Sequence, residues 1–203
     1  MRKEMTGAPD GPRGTAAASD VRESKKRLRA EMRARREKLS ESYLRDAGAR
    51  MRQRLLRLPA WEAAESLFAY VSTEREPDTR LALRQALAEG KQVFVPKCMG
   101  QGRMLAVQIR SLEELVPGKL GIPEPEHRTE IRGPEGMDLI LVPCLCASTD
   151  GKRLGHGGGY YDRYLRKFHP GTLCLCFEKL LLPEIPLTEL DIPMARVLTE
   201  KTK

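Results

Sequence analysis

Aromatic side chains are scarce in this chain of 203 residues, with one Trp, four Phe and five Tyr making up 5% of it. Single-stranded nucleic acids bind on aromatic stacking platforms, and none is evident here, so no nucleic-acid partner is expected. Histidine is rarer still: His127, His156 and His169 are the only imidazoles, and none accompanies a recognisable nucleophile motif. Serine or cysteine hydrolysis is disfavoured on that ground. No stretch approaches the roughly 18 uncharged apolar residues of a membrane-spanning helix, and the N-terminal segment lacks the apolar centre of a secretory signal. No membrane partner is expected, and the expected location is cytoplasmic. A mitochondrial presequence is the weaker alternative, because Glu4, Asp10 and Asp20 place acids where such segments avoid them.

Five cysteines, Cys98, Cys144, Cys146, Cys174 and Cys176, are an odd number, which with no secretory context argues against a disulfide framework. Two Cys-x-Cys pairs hold the four thiolates that a zinc tetrahedron needs. Both pairs lie in apolar runs, 141–147 and 172–177, where alternate residues share one face of a strand. They are expected as buried core thiols, and no zinc is assigned.

What the chain does have is a core and a basic arm. Hydrophobic residues make up 40% and charged residues 32%, which suits a globular protein of one domain. There are 36 Lys plus Arg against 28 Asp plus Glu, a net charge of +8. Residues 21–57 carry 14 basic and 5 acidic side chains, so the whole excess lies there. Such a field holds polyanions, whether nucleic acid, anionic lipid or the phosphates of a nucleotide.

Residues 1–20 lack apolar periodicity and read as a disordered tail, ahead of a single domain over 21–203. A helix is expected from Val21 with Asp20 as cap, and a second from Ser40 through about Leu58, with Leu44, Ala47, Met51 and Leu55 on its apolar face. Strand and helix then alternate: a strand over 66–72, a helix over 77–88 closed by Gly90, strands over 92–96, 104–109 and 138–143, a helix over 160–168, a strand over 172–177 and a last one near Val197. This order predicts a three-layer α/β domain, a mostly parallel, Rossmann-like sheet with helices on both faces, preceded by two N-terminal helices. Ligands of such sheets bind beyond the carboxyl ends of the strands, so the loops after Val71 and Pro143 are the places to look.

The segment from Thr149 to Leu165 is the most informative. Gly155, Gly157, Gly158 and Gly159 free the backbone to take positive φ and to approach a ligand closely. With Arg153 beside them and a helix start after them, they suit a phosphate cradle. The segment is no Walker A loop, having no Gly-Lys-Ser/Thr, and it fails the dinucleotide pattern because Tyr160 takes the last glycine position.

Arg153-Leu-Gly-x-Gly-x-Gly-Tyr-Tyr-Asp162, after a hydrophobic strand ending in Pro, resembles the signature of the 5-formyltetrahydrofolate cyclo-ligases, also called methenyltetrahydrofolate synthetases. Lys25-Lys-Arg-Leu-Arg29 resembles that family's N-terminal nucleotide-binding stretch. Tyr70-Val-Ser72 with Glu76-Pro-Asp-Thr79 resembles its folate-side loop, and Gly121 to Pro125 and Asp191-Ile-Pro-Met194 also match. The likeness spans about residues 21–200, in order. It implies conversion of 5-formyltetrahydrofolate and ATP into 5,10-methenyltetrahydrofolate, ADP and phosphate with Mg²⁺, by a monomer whose partners are the two small molecules.

Carried over, the resemblance gives Lys25, Arg29 and Arg153 the catalytic work on the ATP phosphates. The nucleotide would be bound by Lys25, Lys26, Arg27, Leu28 and Arg29, and by the run Arg153, Leu154, Gly155, His156, Gly157, Gly158, Gly159, Tyr160 and Tyr161. The folate would meet Val71, Glu76, His156, Gly157, Gly158, Gly159 and Tyr160, and Asp162 would be the Mg²⁺ ligand, directly or through water. The plain alternatives are a solvated basic face, a tight glycine turn, a helix-capping acid and a core valine. Of Tyr160 and Tyr161, one is expected to stack and one to anchor. The chain departs from the family pattern at Ala195, where an acid is usual, at Leu120, and at Cys144 and Cys146-Ala-Ser-Thr149. Those departures keep a second reading open, a folate- or nucleotide-binding relative without turnover.

Overall fold

The computed structural model describes residues 13–118, 121–127, 130–166 and 171–201, with side chains from Ser19 onward. Helix α1 (Arg13–Glu37) starts ahead of Val21, and Asp20 lies inside it rather than capping it. Ala16, Ala17 and Ala18 supply the reason, since consecutive alanines propagate a helix better than any other residue. Residues 1–12 of the expected tail lie outside the described residues.

Ser40 caps α2 (Glu41–Leu56), its hydroxyl oxygen accepting from the Tyr43 N–H at 3.2 Å. Ala47, Met51 and Leu55 are buried at helical spacing. A short α3 (Pro59–Ala63) buries Trp61 and leads into β1 (Ser66–Ala69). Helix α4 (Arg80–Ala88) begins later than Pro77. Residues 70–79 are instead a loop folded on itself: the Tyr70 hydroxyl donates to the Pro77 carbonyl at 3.0 Å, and the Thr79 hydroxyl donates to the Tyr70 carbonyl at 2.6 Å. Gly90 follows α4 at φ 76°, as the helix-closing role requires.

Strands β2 (Gln92–Gly100) and β3 (Arg103–Ile109) form a hairpin. A small antiparallel pair, β4 (Leu115–Pro117) and β5 (Pro123–Pro125), comes next, followed by β6 (Ile131–Arg132) and β7 (Leu139–Val142). The pair β8 (Cys146–Ala147) and β9 (Arg153–Leu154) leads to α5 (Tyr160–Tyr164), then β10 (Thr172–Leu175) and β11 (Arg196–Leu198). Helix α5 stops well short of Phe168, at Leu165, whose N–H returns to the Tyr161 carbonyl; residues 167–170 lie outside the described residues.

The seven-stranded sheet has the order β11-β10-β7-β1-β2-β3-β6. Its pairs from β11 to β2 are parallel, and β3 and β6 add an antiparallel edge. Every residue of β1, β7 and β10 is buried, so both faces of the parallel centre are covered and its strands read as unbroken apolar runs. Register pairs Phe68 with Phe94 and with Ile140 on one face, and Tyr161 and Tyr164 of α5 pack on Phe68 there. The four cysteines of the apolar runs are buried free thiols, and burial, as the largest cause, pushes the Cys146 thiol up to about 12.

Candidate active site

The carboxyl ends of β1 and β7 open into two loops, 70–79 and the stretch from Pro143 to Gly159, and α1 lies across both. Its contacts run along one stripe. Lys25 Nζ is paired with Asp191 Oδ1; Arg29 Nε donates to the Gly155 carbonyl at 3.1 Å; Arg33 Nη2 donates to the His156 carbonyl at 3.0 Å. Arg36 Nη2 donates to the Cys144 carbonyl, and its Nη1 lies 3.9 Å from Glu76 Oε1. Spacings of four, four and three put these cations on one helical face. Lys25 and Arg36 are buried, whereas the Lys26 and Arg27 side chains are 80% and 81% exposed and turn to Glu23 on the far side of the helix. Leu28 packs against the core. The run from Lys25 to Arg29 is therefore divided: Lys25 and Arg29 reach the site, and the three residues between them do not.

Arg153 is buried on β9, its Nη2 2.8 Å from Asp162 Oδ1. The same carboxylate oxygen accepts the Ile192 N–H at 3.2 Å. The Arg153 Nε is buried with no hydrogen-bond partner, an orphaned donor beside the loop whose usual remedy is a polar ligand or water. The glycine loop is held open rather than wound into the helix: Gly157 has φ 110° and Gly159 φ 66°. From α5, Arg163 Nη1 donates to the Gly158 carbonyl at 2.7 Å and to the Gly102 carbonyl at 3.3 Å, tying the loop to the β2–β3 turn. With α5 only five residues long, the helix dipole contributes little, and the positive charge beside the loop is that of Arg29 and Arg153.

Opposite the glycines sits Glu76. Its Oε2 accepts the Thr73 N–H and hydroxyl, both at 2.9 Å, and its Oε1 lies 3.3 Å from His156 Nε2. Burial opposes ionisation of this carboxyl, but the hydrogen bonds from His156 and Thr73 outweigh it and hold its pKa below the ordinary value. Val71 is buried at the base of the same loop. Of the two tyrosines, Tyr161 packs on Phe68 with ring centroids 6.0 Å apart, burial pushing its hydroxyl up, while Tyr160 lines a cleft of about 460 Å³ with Met99, Met104 and Arg163.

The sequence profile of the 5-formyltetrahydrofolate cyclo-ligase family matches residues 21–200. The chain belongs to that family. It is 31% identical over 202 residues to mouse 5-formyltetrahydrofolate cyclo-ligase, covering 91% of this chain and 97% of the mouse protein. The Escherichia coli K12 protein of the same name is 28% identical over 174 residues, 83% of this chain and 96% of its own length. Among solved structures, the 5,10-methenyltetrahydrofolate synthetase of Aquifex aeolicus superimposes with a TM-score of 0.79 at 29% identity, over 88% of this chain and 90% of that one.

Within this cyclo-ligase family member, several working side chains escaped the motif reading. Arg33 and Arg36 continue the stripe begun by Lys25 and Arg29, and spacings of i+4 and then i+3 along one helical face were the signal that could have found them. Arg75 carried no such signal. At φ 63°, a left-handed conformation rare outside glycine, its guanidinium donates to the carbonyls of Arg36, Glu37 and Leu39 and pairs with Glu41 at 2.6 Å. It thereby caps the end of α1 from the loop that carries Glu76. Ala195 is exposed, and its N–H donates to Thr172 Oγ1 at 2.9 Å. Leu120 lies outside the described residues.

Among the described residues, no group of three or more His, Cys, Asp or Glu could hold a metal ion. Asp162 is the carboxylate bonded to Arg153. This donor set fits a hard cation that brings most of its oxygens with it, on phosphates and water.

Proposed function

We propose that this chain converts 5-formyltetrahydrofolate and ATP into 5,10-methenyltetrahydrofolate, ADP and phosphate. The observation that carries this reading is that a basic helix face and the buried Arg153 flank an open glycine loop whose His156 meets Glu76, at the carboxyl ends of a parallel sheet. Such a site has cations for a triphosphate on one side and a carboxylate for a polar heterocycle on the other.

The chemistry needs little more. The N5-formyl group is amide-like, so its carbon is a poor electrophile. Transfer of the γ-phosphoryl group to the formyl oxygen releases ADP and leaves an iminium-like carbon bearing a good leaving group. N10 of the same folate attacks that carbon, its proton is lost, and phosphate departs with the formyl oxygen. Phosphoryl transfer of this kind is promoted by alignment and by neutralisation of oxygen charge. Arg29 and Arg153 neutralise phosphate oxygens, the backbone of Leu154 to Gly159 orients them, and Glu76 receives the N–H groups of the pterin beside Val71 and Tyr160. Lys25 joins them by exchanging Asp191 for a phosphate. Mg²⁺ bound with the nucleotide would supply further charge neutralisation, with Asp162 as its protein ligand, directly or through water.

The protein acts as a monomer on two small molecules, without nucleic acid or membrane. Its free thiols suit the reducing cytoplasm. The test is absorbance at the methenyl-folate band on mixing protein, 5-formyltetrahydrofolate, ATP and Mg²⁺. Growth of the band in the complete mixture alone supports the reading. Ligand binding with no growth would transfer it to a binding protein and point to Ala195.

A further inference from the structure

The carboxylate assigned to the folate is already occupied. Glu76 has an 8% exposed side chain, and Thr73, three residues before it, donates two hydrogen bonds to its Oε2. Its Oε1 faces two cations: Arg36 Nη1 at 3.9 Å, buried and anchored on the Cys144 carbonyl, and His156 Nε2 at 3.3 Å. The two differ in freedom. Arg36 is 7% exposed and held by the loop after β7, whereas the His156 side chain is 47% exposed and stands between two glycines. Only His156 can leave without opening the core. A pterin N–H that bonds Oε1 must take the place the imidazole holds.

We infer that His156 is a positioning residue that competes with folate for Glu76, clasping the glycine loop across the free site and making the affinity for 5-formyltetrahydrofolate fall as the imidazole becomes protonated. The inference rests on the proposed role of Glu76. An imidazolium paired with a carboxylate is harder to displace than a neutral imidazole, because charge adds to the hydrogen bond. Charged and titratable groups face the clasp from each element packed against it: behind Glu76 lie the Tyr70 and Tyr161 hydroxyls, both pushed up by burial, and beside Arg36 lies the Cys144 thiol, drawn down by its hydrogen bonds with Cys174 and Cys176. From α1 come Arg29 on the Gly155 carbonyl, Arg33 on the His156 carbonyl and Arg36 on Glu76. From β9, Arg153 has its Nη1 3.0 Å from where a Gly155 side chain would begin, and it is itself balanced by Asp162. Glu76 stays ionised through that range, since its pKa lies below the usual carboxylate value despite burial, through His156 and Thr73. Comparison with His156→Gln isolates the share of the imidazole in any change of affinity with pH.

The sign separates this from a general electrostatic effect. Folate carries carboxylates, so an added positive charge that merely sat near the site would tighten binding as pH falls; competition for Glu76 loosens it. The experiment is calorimetric titration of the full-length protein with 5-formyltetrahydrofolate from pH 8 to pH 6, in wild type and in His156→Gln, which keeps a donor but cannot acquire charge. Wild-type Kd is expected to rise about threefold over that interval, the size of a partly exposed ion pair, and the variant's to change by less than half as much. Equal slopes in the two proteins, a flat wild-type profile, or tighter binding at pH 6 would each overturn the inference. Absence of folate binding at every pH, together with absence of the methenyl band, would overturn the functional reading beneath it as well. Turnover with a pH-independent Kd would overturn the clasp alone.

Discussion

At the scale of single residues, the site is an arrangement of cations tied to carboxylates and carbonyls, with Lys25, Arg36 and Arg153 buried. Arg153 is the strictest case, since its guanidinium is enclosed and bonded to Asp162. Arg153→Ala leaves the Asp162 carboxylate without its guanidinium partner, and under the proposed role of Arg153 on the phosphates kcat/KM should fall about 100- to 1000-fold. Arg153→Lys should not restore it, because a point charge on a flexible stem does not reproduce a planar fork. Steady-state kinetics on the two variants checks both statements; recovery by lysine would show that charge alone suffices. Asp191 gives a pH prediction. Burial raises its pKa, but hydrogen bonds from Lys25 and Thr188 prevail and hold it below the ordinary 3.8. A carboxylate depressed on folding contributes stability that is present above its unfolded pKa and is lost as pH falls through its folded value. Urea unfolding should therefore show wild-type stability declining from about pH 4.5 downward, and Asp191→Asn should be less stable at pH 7 but lose less on acidification.

At the scale of elements, two junctions decide whether the glycine loop is usable. The first is the Arg163 bridge between the loop and the β2–β3 turn. Gly102 has φ 70°, and a Cβ placed there would come 1.7 Å from Arg163 Nη1 and 2.6 Å from the Gly158 carbonyl oxygen. Gly102→Ala must therefore displace the bridge and strain the turn. A loss of about 1–2 kcal/mol, or roughly 3–6 °C in Tm, should accompany at least a tenfold fall in kcat/KM. A variant of normal stability and activity would show that the bridge does not organise the loop. The second junction is α1. It buries Met32 fully and Leu28 partly and otherwise docks through hydrogen bonds and ion pairs, so its hold on the body rests on polar contacts. Hydrogen exchange should find its amides opening before those of β1, β7 and β10, and addition of ATP should slow them selectively. Exchange of α1 at the rate of the sheet, with or without nucleotide, would contradict this.

At the scale of the whole molecule, the parallel centre and the basic arm perform separate tasks. The sheet places two loops side by side at its carboxyl ends, and the arm crosses them both. Apolar runs in β1, β7 and β10 and turn residues such as Gly90 were legible because burial on both faces leaves a continuous hydrophobic signature. The helix ends were less so. Helix α1 extended back through three alanines whose propensity outweighed the lack of apolar periodicity, and α5 ended at Tyr164, where Tyr161 and Tyr164 face Phe68. The motif Arg153 to Asp162 and the pair Lys25 and Arg29 were readable as a site because their spacing and order match a family. Lys26 and Arg27 lay inside the same motif and still point away, since successive helical residues are turned by about 100°.

The sequence by itself determined the order of the main helices and sheet strands, the basic arm, the buried thiols and the family, for these depend on local composition, on period and on motifs contiguous in the chain, whereas the short elements α3, β4 to β6, β8 and β9 carried no such period. Only the tertiary structure decided the pairings. Glu76 meets His156 across 80 residues of chain, Lys25 meets Asp191, and Arg75 closes α1. Such contacts form where the packing of helix on sheet happens to bring distant side chains within about 3 Å, and no local pattern records which cation a given carboxylate will find.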